Sequence, residues 1–207
     1  MSVIHNTASV TPGKLELLAS WLPAQPWYRG TTPDLTKAGG FRLDDPAGRV
    51  GIEFMVVADG SVHYHAPMTY REAPLAGGEP GLIGTAEHSV LGKRWVYDGV
   101  HDPVFVDTLL ALLRGTAEPQ AQSRTDTPEP TVHARCPGIE GDAPAAGPIT
   151  ANGPEGTDIR VRTDLVLRVR RTLRDGGVTP DCLGEVSACW QQDGSTARDA
   201  FALLIAG

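Results

Sequence analysis

Apolar residues recur at Leu15, Leu18 and Leu22, the i, i+3 and i+7 spacing of one helix face. Thr11 can cap this helix with Pro12 in its first position, where a missing N–H costs nothing, and Pro23 ends it. The period then falls to two. Phe41-Arg42-Leu43 predicts a short strand, and Asp44-Asp45-Pro46-Ala47-Gly48 a turn. Residues 50–58 and 61–70 flank Asp59-Gly60, a strong signal for a two-residue hairpin loop. In that register paired numbers sum to 119, setting Phe54 opposite His65 and Val56 opposite His63 on one face, with Met55, Val57, Val62 and Tyr64 on the other. Both faces carry apolar side chains, so the hairpin needs either a cover on each side or a partner for one. One short helix cannot supply both, and the C-terminal strands are the expected second cover.

Strands over 82–91 and 94–97 extend the hairpin as an antiparallel meander. Asp102-Pro103 opens a second helix over 104–114, with Phe105, Leu109, Leu112 and Leu113 as its buried stripe and Gly115 as its stop. Residues 116–157 are rich in Pro, Gly, Ala, Ser, Thr and Glu without periodicity, the composition of a flexible linker. Alternation returns at Ile159, where Val161, Leu165, Leu167 and Val169 interleave with Arg162, Asp164, Arg168 and Arg170, turning at Thr163-Asp164. A last hairpin is expected over 184–191 and 198–205, around Gln192-Asp193-Gly194. The pattern predicts an α+β fold: a domain over 1–115, a linker over 116–158, and a β element over 159–207 that joins or flanks the first sheet.

Composition narrows the chemistry. A net charge of −7 disfavours nucleic acid and anionic membranes as partners, and the basic residues that cluster over 160–174 fit a strand pattern. No apolar run approaches the roughly 20 residues of a membrane helix, and the N-terminus lacks a secretory signal, so a soluble cytoplasmic protein is expected. Cys136, Cys182 and Cys189 form no CxxC pair and are expected as free thiols.

The helix of residues 14–22, the Trp27-Tyr28 pair, Phe41-Arg42-Leu43-Asp44-Asp45-Pro46 leading into Gly51-Ile52-Glu53-Phe54-Met55, and Leu91-Gly92-Lys93-Arg94-Trp95-Val96-Tyr97-Asp98-Gly99 with the helix after Asp102-Pro103 together resemble the maltokinase N-terminal cap domain. The resemblance covers about the first 115 residues and is specifically to short bacterial proteins that carry a cap-like domain without kinase lobes. It implies a cystatin-like sheet cradling a helix, and a link to maltose, trehalose or α-glucan metabolism. Maltokinases use ATP and Mg²⁺ to make maltose 1-phosphate, with catalytic residues in lobes beyond the cap. The segment 164–171 resembles the lysine-bearing strand of such a lobe only faintly, with Arg168 in the lysine's place and no HxD loop after it. A non-catalytic interaction or regulatory module follows, with a sugar kinase or α-glucan enzyme as partner. The alternative is a degenerate or split sugar phosphotransferase subunit using ATP.

No catalytic, cofactor-binding or metal-binding residue is assigned. His63 and His65 share a strand face, a spacing that can serve a metal, but no third ligand lies near them in sequence. Trp21, Trp27 and Tyr28 flank two prolines and could form an aromatic contact surface for a partner or a sugar ring, although core packing is the commoner fate of such rings. With His63 and His65 they form the candidate interaction surface. Asp98, His101 and Asp102 sit at a helix entrance, where capping explains them better than catalysis. Gly92-Lys93 lacks the spacing of a phosphate-binding loop.

Overall fold

In the computed structural model, residues 9–122, 124, 126–138, 144–177 and 181–207 are described. In chain order the elements are β1 (Val10–Thr11), α1 (Lys14–Trp21), β2 (Leu35–Asp44), β3 (Gly51–Asp59), β4 (Val62–Arg71), β5 (Leu82–His88), β6 (Gly92–Asp98) and α2 (Pro103–Leu113). Then follow β7 (Gln120–Ala121), β8 (His133–Arg135), β9 (Ile149–Gly153), β10 (Gly156–Arg162), β11 (Leu165–Val169), β12 (Thr172–Leu173), β13 (Gly184–Gln192) and β14 (Ser195–Ala206). The result is an α+β fold, mostly antiparallel sheet with two short helices.

Helix α1 starts later than its sequence suggests. Thr11 is taken into the ladder opposite Glu87, so Gly13 becomes the N-cap and Glu16 reaches back to accept its N–H at 2.7 Å. Helix α2 starts where expected. Asp102 accepts the Val104 N–H at 3.0 Å, and Gly115 stops the helix at φ +72°.

The β3–β4 hairpin pairs Asp59 with Val62, so paired numbers sum to 121 and the loop is Gly60-Ser61 rather than Asp59-Gly60. The cause is the Asp59 carboxylate, which accepts bonds from the Tyr28 hydroxyl and the Asp34 N–H and keeps Asp59 within the ladder. Only Gly60 of the loop is left-handed, at φ +56°, the pattern of a II′ rather than a I′ turn. A shift of two leaves side-chain parity unchanged. His63 and His65 therefore still share a face with Phe54 and Val56, though their partners become Ala58 and Val56. The β13–β14 hairpin pairs Gln192 with Ser195 around Asp193 (φ +49°) and Gly194 (φ +78°), where both loop residues are left-handed as a I′ turn requires.

The stretch expected as a linker contains β7, β8, β9 and the first residues of β10, which begins at Gly156 instead of Ile159. Residues 123, 125 and 139–143 of that stretch lie outside the described residues. β7 and β8 have only two and three residues and are ordered by longer partners, β7 on β2 and β8 on β13. Such strands bury little of their own and leave no alternation to read.

The strands form one sheet in the order β1-β5-β6-β4-β3-β2-β13-β14-β11-β10-β9. β12 closes part of it into a ring: it pairs with β4 and follows β11 after a step at Arg170-Arg171. At the step the Arg170 N–H bonds the Phe201 carbonyl at 3.0 Å and the His65 N–H bonds the Arg171 carbonyl at 2.8 Å. The closed path β2-β3-β4-β12/β11-β14-β13 returns to β2 where Trp190 meets Gly39. Two glycines permit this seam. A Cβ at Gly39 would lie 3.2 Å from Trp190 Cα, and one at Gly40 would fall 2.0 Å from the Phe54 carbonyl oxygen.

Each hairpin face has its own cover. Leu17, Leu18 and Leu22 pack with Trp27 on the Met55, Val57, Tyr64 and Met68 face. Phe54 and Val56 on the other face join a core with α2 and the C-terminal strands, including Leu167, Val169, Trp190 and Phe201.

Candidate functional site

The turn that follows α1 brings Trp27 back beneath Trp21, edge to face at 5.7 Å, and against Tyr64 of β4 at 6.0 Å. Tyr28 lies 5.2 Å from Tyr64 and donates its hydroxyl to Asp59. Burial, then the bond to the Asp59 carboxylate, pushes the Tyr28 phenol well above its ordinary pKa. Trp27 is buried, whereas Trp21 and Tyr28 are half-buried and form the accessible part of this aromatic corner.

Beneath the corner lies a buried ion pair. The Arg171 guanidinium, wholly enclosed, donates to both Asp98 oxygens at 2.9 and 2.6 Å and to Thr157 Oγ1 at 2.9 Å. It also lies 5.0 Å from the Trp27 ring centroid, a cation–π contact. One side chain thus joins β6, β10 and the aromatic corner. Nothing local signals it, because Arg171 and Asp98 are 73 residues apart in the chain.

His63 and His65 point to the opposite face and do not meet the tryptophan corner. His65 is fully buried between Phe54 (5.8 Å) and Phe201 (4.6 Å). Its Nδ1 lies 2.9 Å from the Arg170 carbonyl, which can only accept, so Nδ1 carries the proton. Burial, with the nearby Arg171 charge, pushes its pKa down to about 3, so the ring is neutral. His63 is buried 6.0 Å from the Trp190 ring. Among the described residues no group of three or more His, Cys, Asp or Glu is placed to hold a metal.

The remaining buried carboxylates are structural anchors. Asp102 caps α2 and takes a bidentate bond from Arg71, both contacts at 2.6 Å. Asp45 accepts the N–H groups of Ala47, Arg49 and Val50. Glu53 is bonded by Lys14 at 2.7 Å, Tyr70 at 2.7 Å and Gln122 at 2.6 Å. Burial pushes Glu53 up, but Lys14 and the three hydrogen bonds outweigh it and hold the carboxyl below its ordinary range. Three further arginines of 160–174 are similarly engaged: Arg162 pairs with Asp164, Arg168 with Asp158 and Arg170 with Asp199. His101, half-buried, lines a shallow cleft of about 310 Å³ with Val100, Pro103 and Ile149. Burial lowers its pKa.

Cys136, Cys182 and Cys189 are free thiols. Among the described residues no helix is long and apolar enough to cross a membrane.

No curated protein matches this chain. The family model of the maltokinase N-terminal cap domain matches residues 21–102, from the Trp21 corner through the β3–β4 and β5–β6 hairpins to the α2 cap, leaving β7 to β14 outside. Over residues 21–102 this chain is thus similar to the maltokinase N-terminal cap domain.

Proposed function

We propose that this chain is a non-catalytic, cap-like module of maltose, trehalose or α-glucan metabolism, with the cystatin-like character of such caps, that works by contact with a sugar kinase or an α-glucan enzyme and needs no cofactor. The observation that carries this reading is the engagement of the buried carboxylates. Phosphoryl transfer needs carboxylates that face a metal and an attacking hydroxyl. Here Asp98 holds Arg171, Asp102 holds Arg71 and a helix start, Glu53 holds Lys14 and Asp45 holds a turn. The cap match supports the metabolic context. We place the partner contact on Trp21 and Tyr28, with Trp27, His63 and His65 supporting the corner and the sheet behind it.

The test combines titration calorimetry against purified maltokinase and an α-glucan synthase with an ATP-consumption assay in the presence of maltose. A saturable complex weakened at least tenfold by Trp21→Ala, with ADP release at the level of a blank, is the expected pair of results. Sugar-dependent ATP turnover by the purified chain rules out the non-catalytic role, and lack of binding to both enzymes rules out the partner class.

A further inference from the structure

We propose that copies of this chain associate head to tail, the tip of the β5–β6 hairpin of one copy entering the acidic cleft beside β2 and β7 of the next. This does not depend on the function proposed above.

The tip is apolar and basic. Val90 and Leu91 are adjacent there and are 58% and 46% exposed, the most exposed large hydrophobic residues described. The His88 Nδ1 accepts the N–H groups of both, at 3.2 and 3.1 Å, which ties the loop to the end of β5. Lys93 and Arg94 flank it. Lys93 lies 5.0 Å from the Trp95 ring centroid, and neither cation makes an ion pair among the described residues, although Glu87 stands opposite Lys93 in register.

The cleft is the electrostatic complement. Its volume is about 440 Å³, and it is lined by Asp44, Glu118, Gln120, Asp126 and Pro128. None of the three carboxylates makes an ion pair among the described residues. The Asp44 Oδ1 and Gln120 Oε1 atoms are buried there without a donor. Arg42, two residues before Asp44, makes no ion pair with them; it donates to the carbonyls of Ala121 and Arg124 at 3.2 and 3.3 Å. A tip carrying two cations without ion pairs and two apolar side chains offers ion-pair partners to these carboxylates, with Pro128 as the apolar wall. The occupant is a second copy of this chain, because tip and cleft are complementary surfaces of one chain. Their contact is heterologous, so it builds a ring or an open chain of copies.

Sedimentation velocity of the full chain tests this from about 10 µM to about 1 mM, at low salt and at about 0.5 M salt, where surface charge pairs are screened. The weight-average mass should rise with concentration at low salt and return to the monomer at high salt. K93E/R94E and E118K/D126K, all at exposed or half-exposed positions, should each lower the association constant at least tenfold. Mixing the two variants should restore association, since each acidic tip then meets a basic cleft and the reverse. Thermal melts check that both are folded, with E118Q/D126N and V90S/L91S as milder versions that should also weaken association. The proposal is overturned by a wild-type chain that stays monomeric throughout, by an association constant that reversal leaves within twofold, or by folded variants that fail to complement each other.

Discussion

His65 is a histidine whose proton inventory is settled by its neighbours. The Arg170 carbonyl takes the Nδ1 proton, Phe54 and Phe201 exclude water from the ring, and Arg171 disfavours a second positive charge. In the unfolded chain the same imidazole titrates near 6.5, whereas in the fold it titrates near 3. Between these values the unfolded state binds more protons, so stability rises with pH across the window and is fully present above about 6.5. As pH falls below 6.5 it is lost at up to about 1.4 kcal/mol per pH unit. His101, also lowered by burial, adds a contribution of the same sign, and the lowered Glu53 and Asp45 lose stability only at more acid pH. Urea denaturation at several pH values should therefore show a steeper acid loss for the wild type than for His65→Asn, which can still donate to the Arg170 carbonyl. Parallel profiles between pH 5 and 6.5 would show that His65 is not buried neutral.

At the level of elements, the weak point is the step between β11 and β12. Arg171 sits where the alternation of β11 breaks, and its side chain ties β6 and β10 to the Trp27 corner. Removing it leaves Asp98 buried without a counter-charge, which typically costs about 3–5 kcal/mol. Arg171→Met, which retains length over Trp27, should lower urea stability by that order, and D98N/R171M should recover a substantial part because the orphaned charge is gone. A single variant as stable as the wild type would show that the pair does not hold these elements together. This tie was not legible in the sequence, because a pair spaced so far apart has no periodicity. The hairpin faces were legible, because side-chain parity survives a register error of two. The loop position was not, since it depends on Tyr28 and Asp34 bonding Asp59 from outside the hairpin. Helix α2 could be read from Asp102-Pro103 and Gly115 because its capping is local. β7 and β8 could not, because their order comes from the strands they join. Of the candidate site, the pattern grouped Trp21, Trp27 and Tyr28 with His63 and His65, but it could not say that the aromatic corner and the histidines lie on opposite faces of the sheet.

For the molecule as a whole, the decisive fact is that the β2–β3–β4 sheet is apolar on both faces and the covers come from distant parts of the chain. Helix α1 serves the Met55 and Tyr64 face. On the Phe54 face α2 covers only part, through Phe105 at 5.0 Å from Phe54, while Phe41 and His65 rest on Phe201 of β14 at 6.0 and 4.6 Å. Deleting residues 159–207 removes Phe201, Trp190 and Arg171 together. It strips this apolar face, frees the β2 edge at Gly39 and leaves Asp98 unpaired. An open edge beside an uncovered apolar face is an aggregation template. A 1–158 fragment should bind a hydrophobic dye, associate at concentrations where the full chain does not, and lose its cooperative melt. A fragment that remains monomeric, excludes the dye and melts at the temperature of the full chain would mean that α1 and α2 suffice to cover the sheet, and the closed ring would then be dispensable for the stability of the cap.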